Sequence, residues 1–218
     1  MQTLQEQTSA QVEKTRQAKP EYMEALDNLI DSASKYEDGG KAIKVGGKAP
    51  DFKLPNVDGK IVTLSELLAD GAVILSFYRG SWCPYCNLEL KALQSSLSEF
   101  NELGASLVMI SPQMPDESLS KEEKEKLEFL VLSDQGAIVA SEYGVAWEVP
   151  EFILEHMKKD RDLDLAKINN GKRNILPIPA TFVIGKDGLV AWQYTSVDFR
   201  TRAEPEDIIK ALKELKKD

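Results

Sequence analysis

Apolar positions change period several times along the chain, and each change marks an element. From Pro20, a favourable first-turn residue, Met23, Leu26, Ile30 and Ala33 recur at spacings of three and four, which predicts an amphipathic helix that stops before Gly39-Gly40. Residues 1–18 before it are polar and Gln-rich, with Leu4 and Val12 among few apolar positions, so a helix there has little to bury and the piece reads as frayed. Gly46-Gly47 and Ala49-Pro50-Asp51-Phe52 open a turn-rich segment, Asp58-Gly59 predicts a hairpin turn, and Ser65 is the candidate N-cap of a short helix after Thr63-Leu64. Ala72–Tyr78 is an apolar run of strand length, as expected of a central strand covered on both faces.

Beyond that strand, Cys83, Cys86, Leu90, Leu93, Leu97 and Phe100 follow 3, 4, 3, 4, 3 spacing and lay one stripe along a long helix. Ser106–Ile110 then predicts a strand, Lys121–Phe129 a charged helix, Leu130–Leu132 a short strand and Ala137–Tyr143 another helix, an alternation that favours parallel pairing. Residues 147–176 break the rhythm: Trp147, Phe152, Ile153 and Met157 suit a helix, and the charged run Lys158–Asp162 follows, so the segment reads as an insertion bordering the active site. Thr181–Ile184 and Leu189–Trp192 flank Lys186-Asp187-Gly188, a hairpin signal, and a last amphipathic helix carries Ile208, Ile209, Leu212 and Leu215. The organisation expected is an N-terminal helical extension over 1–45 and one compact domain over 46–218, with the insertion at about 147–176.

Composition narrows the partners. With 27 Lys plus Arg against 36 Asp plus Glu the net charge is −9, which disfavours nucleic acid and anionic lipid. The start lacks the basic and apolar regions of a signal peptide, and no 18-residue apolar stretch occurs, so a cytoplasmic protein that does not span a membrane is expected. Both cysteines fall in one four-residue window, which is cysteine placed for reactivity rather than for stapling distant segments.

The chemistry therefore centres on Cys83-Pro84-Tyr85-Cys86. A strand handing over to a helix near Cys83 puts that sulfur where unpaired backbone N–H groups and the positive end of the helix dipole favour a thiolate, and Pro84 suits the first helical position. Cys86, about one turn on, can attack a mixed disulfide formed at Cys83. Tyr85 lies between them at a turn expected to be exposed, where its ring either contacts a substrate or is incidental. Zinc would need two further ligands; there is no other cysteine and His156 is the lone histidine, so neither a metal nor a cofactor is expected and His156 has no assigned role.

Trp82-Cys83-Pro84-Tyr85-Cys86 behind an apolar strand resembles the thioredoxin superfamily, in which tryptophan precedes the dithiol, and Cys-Pro-Tyr-Cys is the glutaredoxin form. Ile178-Pro179-Ala180-Thr181-Phe182 resembles the superfamily's cis-proline loop, which implies a cis bond at Pro179 facing the dithiol, with Pro177 a bystander. Over roughly 46–215 the chain is similar to the peroxiredoxin-like members of the AhpC/TSA group, at Ala49-Pro50-Asp51-Phe52, Phe77-Tyr78-Arg79-Gly80, Ser133-Asp134, Tyr143-Gly144-Val145 and Arg200–Pro205. The resemblance implies an α/β, thioredoxin-like fold with a central mixed sheet flanked by helices. It also implies reduction of hydroperoxides, with recycling by a thioredoxin-like donor.

The group's Pro-x-x-x-Thr-x-x-Cys pattern, laid with its cysteine on Cys86, puts Cys83 at the threonine and Arg79 at the proline, and its late arginine falls on Pro179. Arg79, beside the sulfurs, could lower their pKa and bind a peroxide oxygen in place of the missing groups, or be a solvated surface residue; Arg200 and Arg202 could also reach the site. By the alignment Cys86 is peroxidatic and Cys83 resolving, whereas helix position argues the reverse. The leading expectation is a peroxiredoxin-like antioxidant enzyme; the alternative is a thiol-disulfide oxidoreductase acting on protein or glutathione disulfides, and a third reading is a scaffold with a redox-sensing dithiol. A homodimer is the assembly allowed for.

Overall fold

The computed structural model describes residues 2–36, 41–114, 127–170 and 174–217. Two helices come first, α1 (Leu4–Ala18) and α2 (Pro20–Tyr36). A short hairpin of β1 (Lys53–Pro55) and β2 (Ile61–Thr63) leads into α3 (Leu64–Asp70), then β3 (Ala72–Phe77), α4 (Pro84–Ser95), α5 (Leu97–Glu102) and β4 (Ala105–Ser111). After β5 (Leu130–Ser133) and α6 (Ile138–Glu142), strands β6 (Ala146–Glu148) and β7 (Ile175–Pro177) pair with each other and enclose α7 (Glu151–Arg161) and α8 (Leu165–Ile168). The chain ends with β8 (Ala180–Ile184), β9 (Val190–Thr195) and α9 (Pro205–Leu215).

The main sheet runs β5-β4-β3-β8-β9, parallel through β3, β4 and β5 and antiparallel on the side of β8 and β9. Alternation along β3 sends Val73, Leu75 and Phe77 to one core and Ile74 to the other, so both faces of the strand are covered, as its apolar run demands. The second core also takes the whole stripe Cys83, Cys86, Leu90, Leu93, Leu97 and Phe100 from α4 and α5, which break only at Ser96. A third core joins Met23 and Leu26 of α2 to Ile153 and Met157 of α7, with Leu165 and Leu176. The two segments that stand apart from the β-α alternation therefore pack on each other.

Several expectations are corrected. Residues 4–18 form a helix with a capping box between Thr3 and Glu6, and the Glu204 carboxylate accepts from the Leu4 and Gln5 N–H groups at 3.1 and 2.6 Å. Thr63, not Ser65, precedes α3; Asp51 binds the Ser65 N–H and hydroxyl instead. Residues 121–126 of the charged helix, and Gly39-Gly40, lie outside the described residues, while Leu127 to Phe129 are non-helical. Gly144 has φ +70 and sits where a Cβ would come within 2.0 Å of the Lys41 carbonyl, so glycine is what lets the segment after α2 cross this turn. Among the described residues no helix is long and apolar enough to cross a membrane.

Candidate active site

The site is built where β3 gives way to α4. Tyr78 N–H still bonds Ile110 O at 2.9 Å, after which Gly80 (φ +151) turns the chain. A Cβ on Gly80 would lie 2.4 Å from Trp82 Nε1 and 2.8 Å from Gln113 Oε1, so this turn tolerates no side chain. Gln113 Oε1 accepts from the Ser81 N–H at 2.9 Å, Asn87 Nδ2 donates to Ser81 O at 2.9 Å, and the Cys83 N–H donates to Gly80 O at 3.1 Å. Cys83 is the N-cap of α4, in extended conformation with no cap bond from its side chain, and Pro84 follows at the first helical position.

The two sulfurs are buried in different surroundings. Burial alone would raise both thiols, but the neighbouring Cys86 and the charges of Arg79 and Arg202 outweigh it at Cys83 and hold that thiol well below its ordinary value. Cys86 goes the other way: burial and the neighbouring Cys83 with its charge push it well up, although Arg202 Nη2 donates to its Sγ at 3.1 Å. Arg202 is itself buried, with its Nε on Glu89 Oε2 at 2.5 Å, and Glu89 Oε1 accepts from the Ser76 hydroxyl at 2.9 Å, which in turn lies 3.0 Å from Thr181 Oγ1. Burial raises the Glu89 carboxyl despite these partners. A line of polar contacts thus runs from Cys86 through Arg202 and Glu89 to the strands beneath.

Above Cys83 lies a cavity of about 360 Å³. Arg79, Trp82, Cys83, Pro84 and Tyr85 line it, Cys86 and Pro179 do not, and Met157 and Arg161 show the 147–176 segment bordering the site as expected. Arg79 is only 5% exposed; its guanidinium stacks over Trp82 (4.9 Å) and Phe199 (4.3 Å), and its Nε has no hydrogen-bond partner among the described residues. The alternative of a solvated Arg79 is thereby excluded. Arg200 turns away, to Asp198 and Asp27.

Tyr85 is buried rather than exposed, edge-on to Phe199 at 6.0 Å, because α1 lies over α4. Pro179 is buried in a trans peptide at a bend just before β8, between a β7 pinned to β6 and a β8 paired with β3. The roof of the cavity, Tyr22 stacked on His156 at 3.5 Å, has no sequence signature. Glu89 had one: it is an acidic residue one turn past Cys86 on the buried side of the helix.

A thioredoxin-like sheet presenting such a dithiol at a strand-to-helix turn defines a thiol oxidoreductase. Residues 45–193 match the model of the AhpC/TSA family, and the chain belongs to that family. Peroxiredoxin Bcp of Escherichia coli K12 is 28% identical over 172 residues, 79% of this chain and 97% of that protein. The crystal structure of peroxidoxin BcpB from Mycobacterium tuberculosis matches with a TM-score of 0.61 at 27% identity, covering 80% of this chain and 97% of that one. Peroxiredoxin Q of Xanthomonas campestris shares the fold, with a TM-score of 0.56 at 19% identity over 75% and 90% of the two chains.

Proposed function

We propose that the chain is a thiol-dependent peroxidase in which Cys83 attacks and Cys86 resolves. The observation that carries this is the contrast between the sulfurs: Cys83 lines the cavity with its thiol held well below its ordinary value, whereas Cys86 is outside that lining with its thiol pushed well up. The Cys83 thiolate attacks one oxygen of the hydroperoxide, the O–O bond breaks, and the other oxygen leaves as alcohol or water after taking up a proton. The Arg79 guanidinium is placed to bind the peroxide and the charge that develops on it, the work the family pattern gives to groups absent here. The Cys86 thiol then condenses with the Cys83 sulfenic acid, expelling water and forming the disulfide. Arg202, whose Nη2 donates to Cys86 Sγ, favours the thiolate form in which Cys86 attacks, and the Cys86 proton leaves with the expelled water. A thiol donor returns the dithiol, and the resemblance to peroxiredoxins makes a thioredoxin-type donor the first expectation.

Stopped-flow mixing of the reduced protein with hydrogen peroxide, followed by tryptophan fluorescence and by loss of titratable thiols, tests this directly. Oxidation should far outpace that of free cysteine; a rate no faster than free cysteine sinks the peroxidase reading. Cys83→Ser should abolish the first step, and Cys86→Ser should keep it and accumulate a sulfenic acid that dimedone traps. The opposite pattern would assign the attack to Cys86.

A further inference from the structure

We propose that the cavity over Cys83 is also the entry site for the reductant, and that this reductant is a low-molecular-weight thiol bearing a carboxylate. The inference rests on the peroxidase reading above and, in the reductive half of the cycle, replaces the thioredoxin-type donor that the family resemblance suggests with one that the cavity admits. Cys83 is 1% exposed, roofed by α1, α2 and α7, so the sulfur to be attacked lies at the bottom of a cavity of about 360 Å³, not on a surface where a second folded protein could lay its own cysteine. Helices α1 and α2 precede residue 45, where the family match begins, so this roof belongs to the part of the chain outside that match.

The charges in the cavity give the donor its sign. Lys19 is neutralised by Asp160 at 2.8 Å, but neither Arg79 nor Arg161 has a carboxylate partner among the described ion pairs; Arg161 reaches only the Trp82 carbonyl, at 2.8 Å. In the reduced state the Cys83 thiolate answers the buried Arg79. Forming the Cys83–Cys86 disulfide removes that anion and leaves two guanidinium groups facing the cavity with no counter-charge from it. The cavity therefore meets a neutral hydroperoxide when the thiolate offsets one of its two free cations, and is most attractive to an anion in the one state that needs reducing.

The redox step balances with two equivalents of that thiol. The donor thiolate bonds to Cys83 Sγ along the S–S axis, the Cys83–Cys86 bond breaks, and its electron pair goes to Cys86 Sγ, where Arg202 Nη2 is in hydrogen-bonding position. In this mixed disulfide Cys83 carries no charge, so its repulsion of a Cys86 thiolate is gone while the Arg202 bond remains, which makes Cys86 a good leaving group. A second donor thiolate attacks the first donor's sulfur, Cys83 leaves as thiolate, and the donor departs as its disulfide.

The experiment reduces pre-formed disulfide protein with 3-mercaptopropionate, 2-mercaptoethanol, cysteamine and glutathione, with rates expressed per thiolate and corrected for thiol basicity, and with a thioredoxin plus its reductase as the protein donor. The carboxylated thiols should exceed 2-mercaptoethanol about tenfold at low salt, and cysteamine should be slowest. The advantage should shrink several-fold in 0.5 M salt and in Arg161→Gln. Equal rates for all small thiols, or thioredoxin outpacing glutathione by orders of magnitude, would overturn the inference. Peroxide oxidation of the reduced protein is measured without any donor, so a failure of the peroxidase reading shows up separately.

Discussion

Glu89 is a buried carboxylate joined to Cys86 through Arg202. It is 1% exposed and paired with an equally buried Arg202, an arrangement whose desolvation cost offsets much of its attraction, so stability alone does not account for it. Its charge is one of the influences raising Cys86, whereas Cys83 owes its lowered value to the neighbouring Cys86 and to Arg79 and Arg202. Alkylation against pH, read by mass spectrometry, should therefore show two waves. The Cys83 wave should lie below that of a free thiol, whose pKa is about 8.5. The Cys86 wave should follow at higher pH, because burial and the Glu89 charge still raise that thiol once Cys83 has lost its own charge. Glu89→Gln should move that upper wave to lower pH, since it removes a negative neighbour and frees Arg202 for the sulfur; it should also cost roughly 3 kcal/mol of stability. An unmoved upper wave would leave Glu89 a structural residue.

At the scale of elements, the helix carrying the dithiol was legible because its core face is periodic. All six members of the Cys83-to-Phe100 stripe are buried, and Leu93, at 1% exposure, sits midway along it. Leu93→Ala should destabilise the protein by about 2–5 kcal/mol in urea unfolding, the usual cost of a cavity in a packed core; a loss below about 1 kcal/mol would show that this face is not core. The hairpins at Asp58-Gly59 and Asp187-Gly188 were equally legible from their turn residues. Helix α1 was not, for it buries only Leu4 and Thr8 and is held by a capping box and by Glu204 at its N-terminus, contacts that leave no apolar rhythm. Tyr85 was misplaced for the same reason: what covers it is α1, far away in sequence. Pro179 was expected to be cis from its resemblance to a loop, and the flanking β6-β7 pair instead feeds β8 in trans.

At the scale of the whole molecule, the dithiol and its helix could be read from the sequence, but the chamber around them could not, because it is assembled from segments far apart in the chain. Arg79, Trp82 and Tyr85 come from the turn, Tyr22 from α2, and Met157 from α7, and the third core joins the last two elements. The roof is held down by an ionic seam: Asp27 of α2 takes Arg16 of α1 at 2.8 Å and Arg200, before α9, at 2.6 Å. The hydrogen bond from Arg16, aided by Arg200, keeps the Asp27 carboxyl below its ordinary value of about 3.9, so this tie is fully present above that pH and is lost as pH falls through the lowered value. Asp27→Ala removes both ties at once and leaves two cations facing each other across the seam. Its consequence should be access rather than chemistry: a bulky maleimide should modify Cys83 several-fold faster in the variant at neutral pH, while the small reagent iodoacetamide, which fits the closed cavity, should change little. If both reagents accelerate equally, the variant has loosened the fold as a whole; if neither does, the seam is not what keeps large thiol reagents from the sulfur.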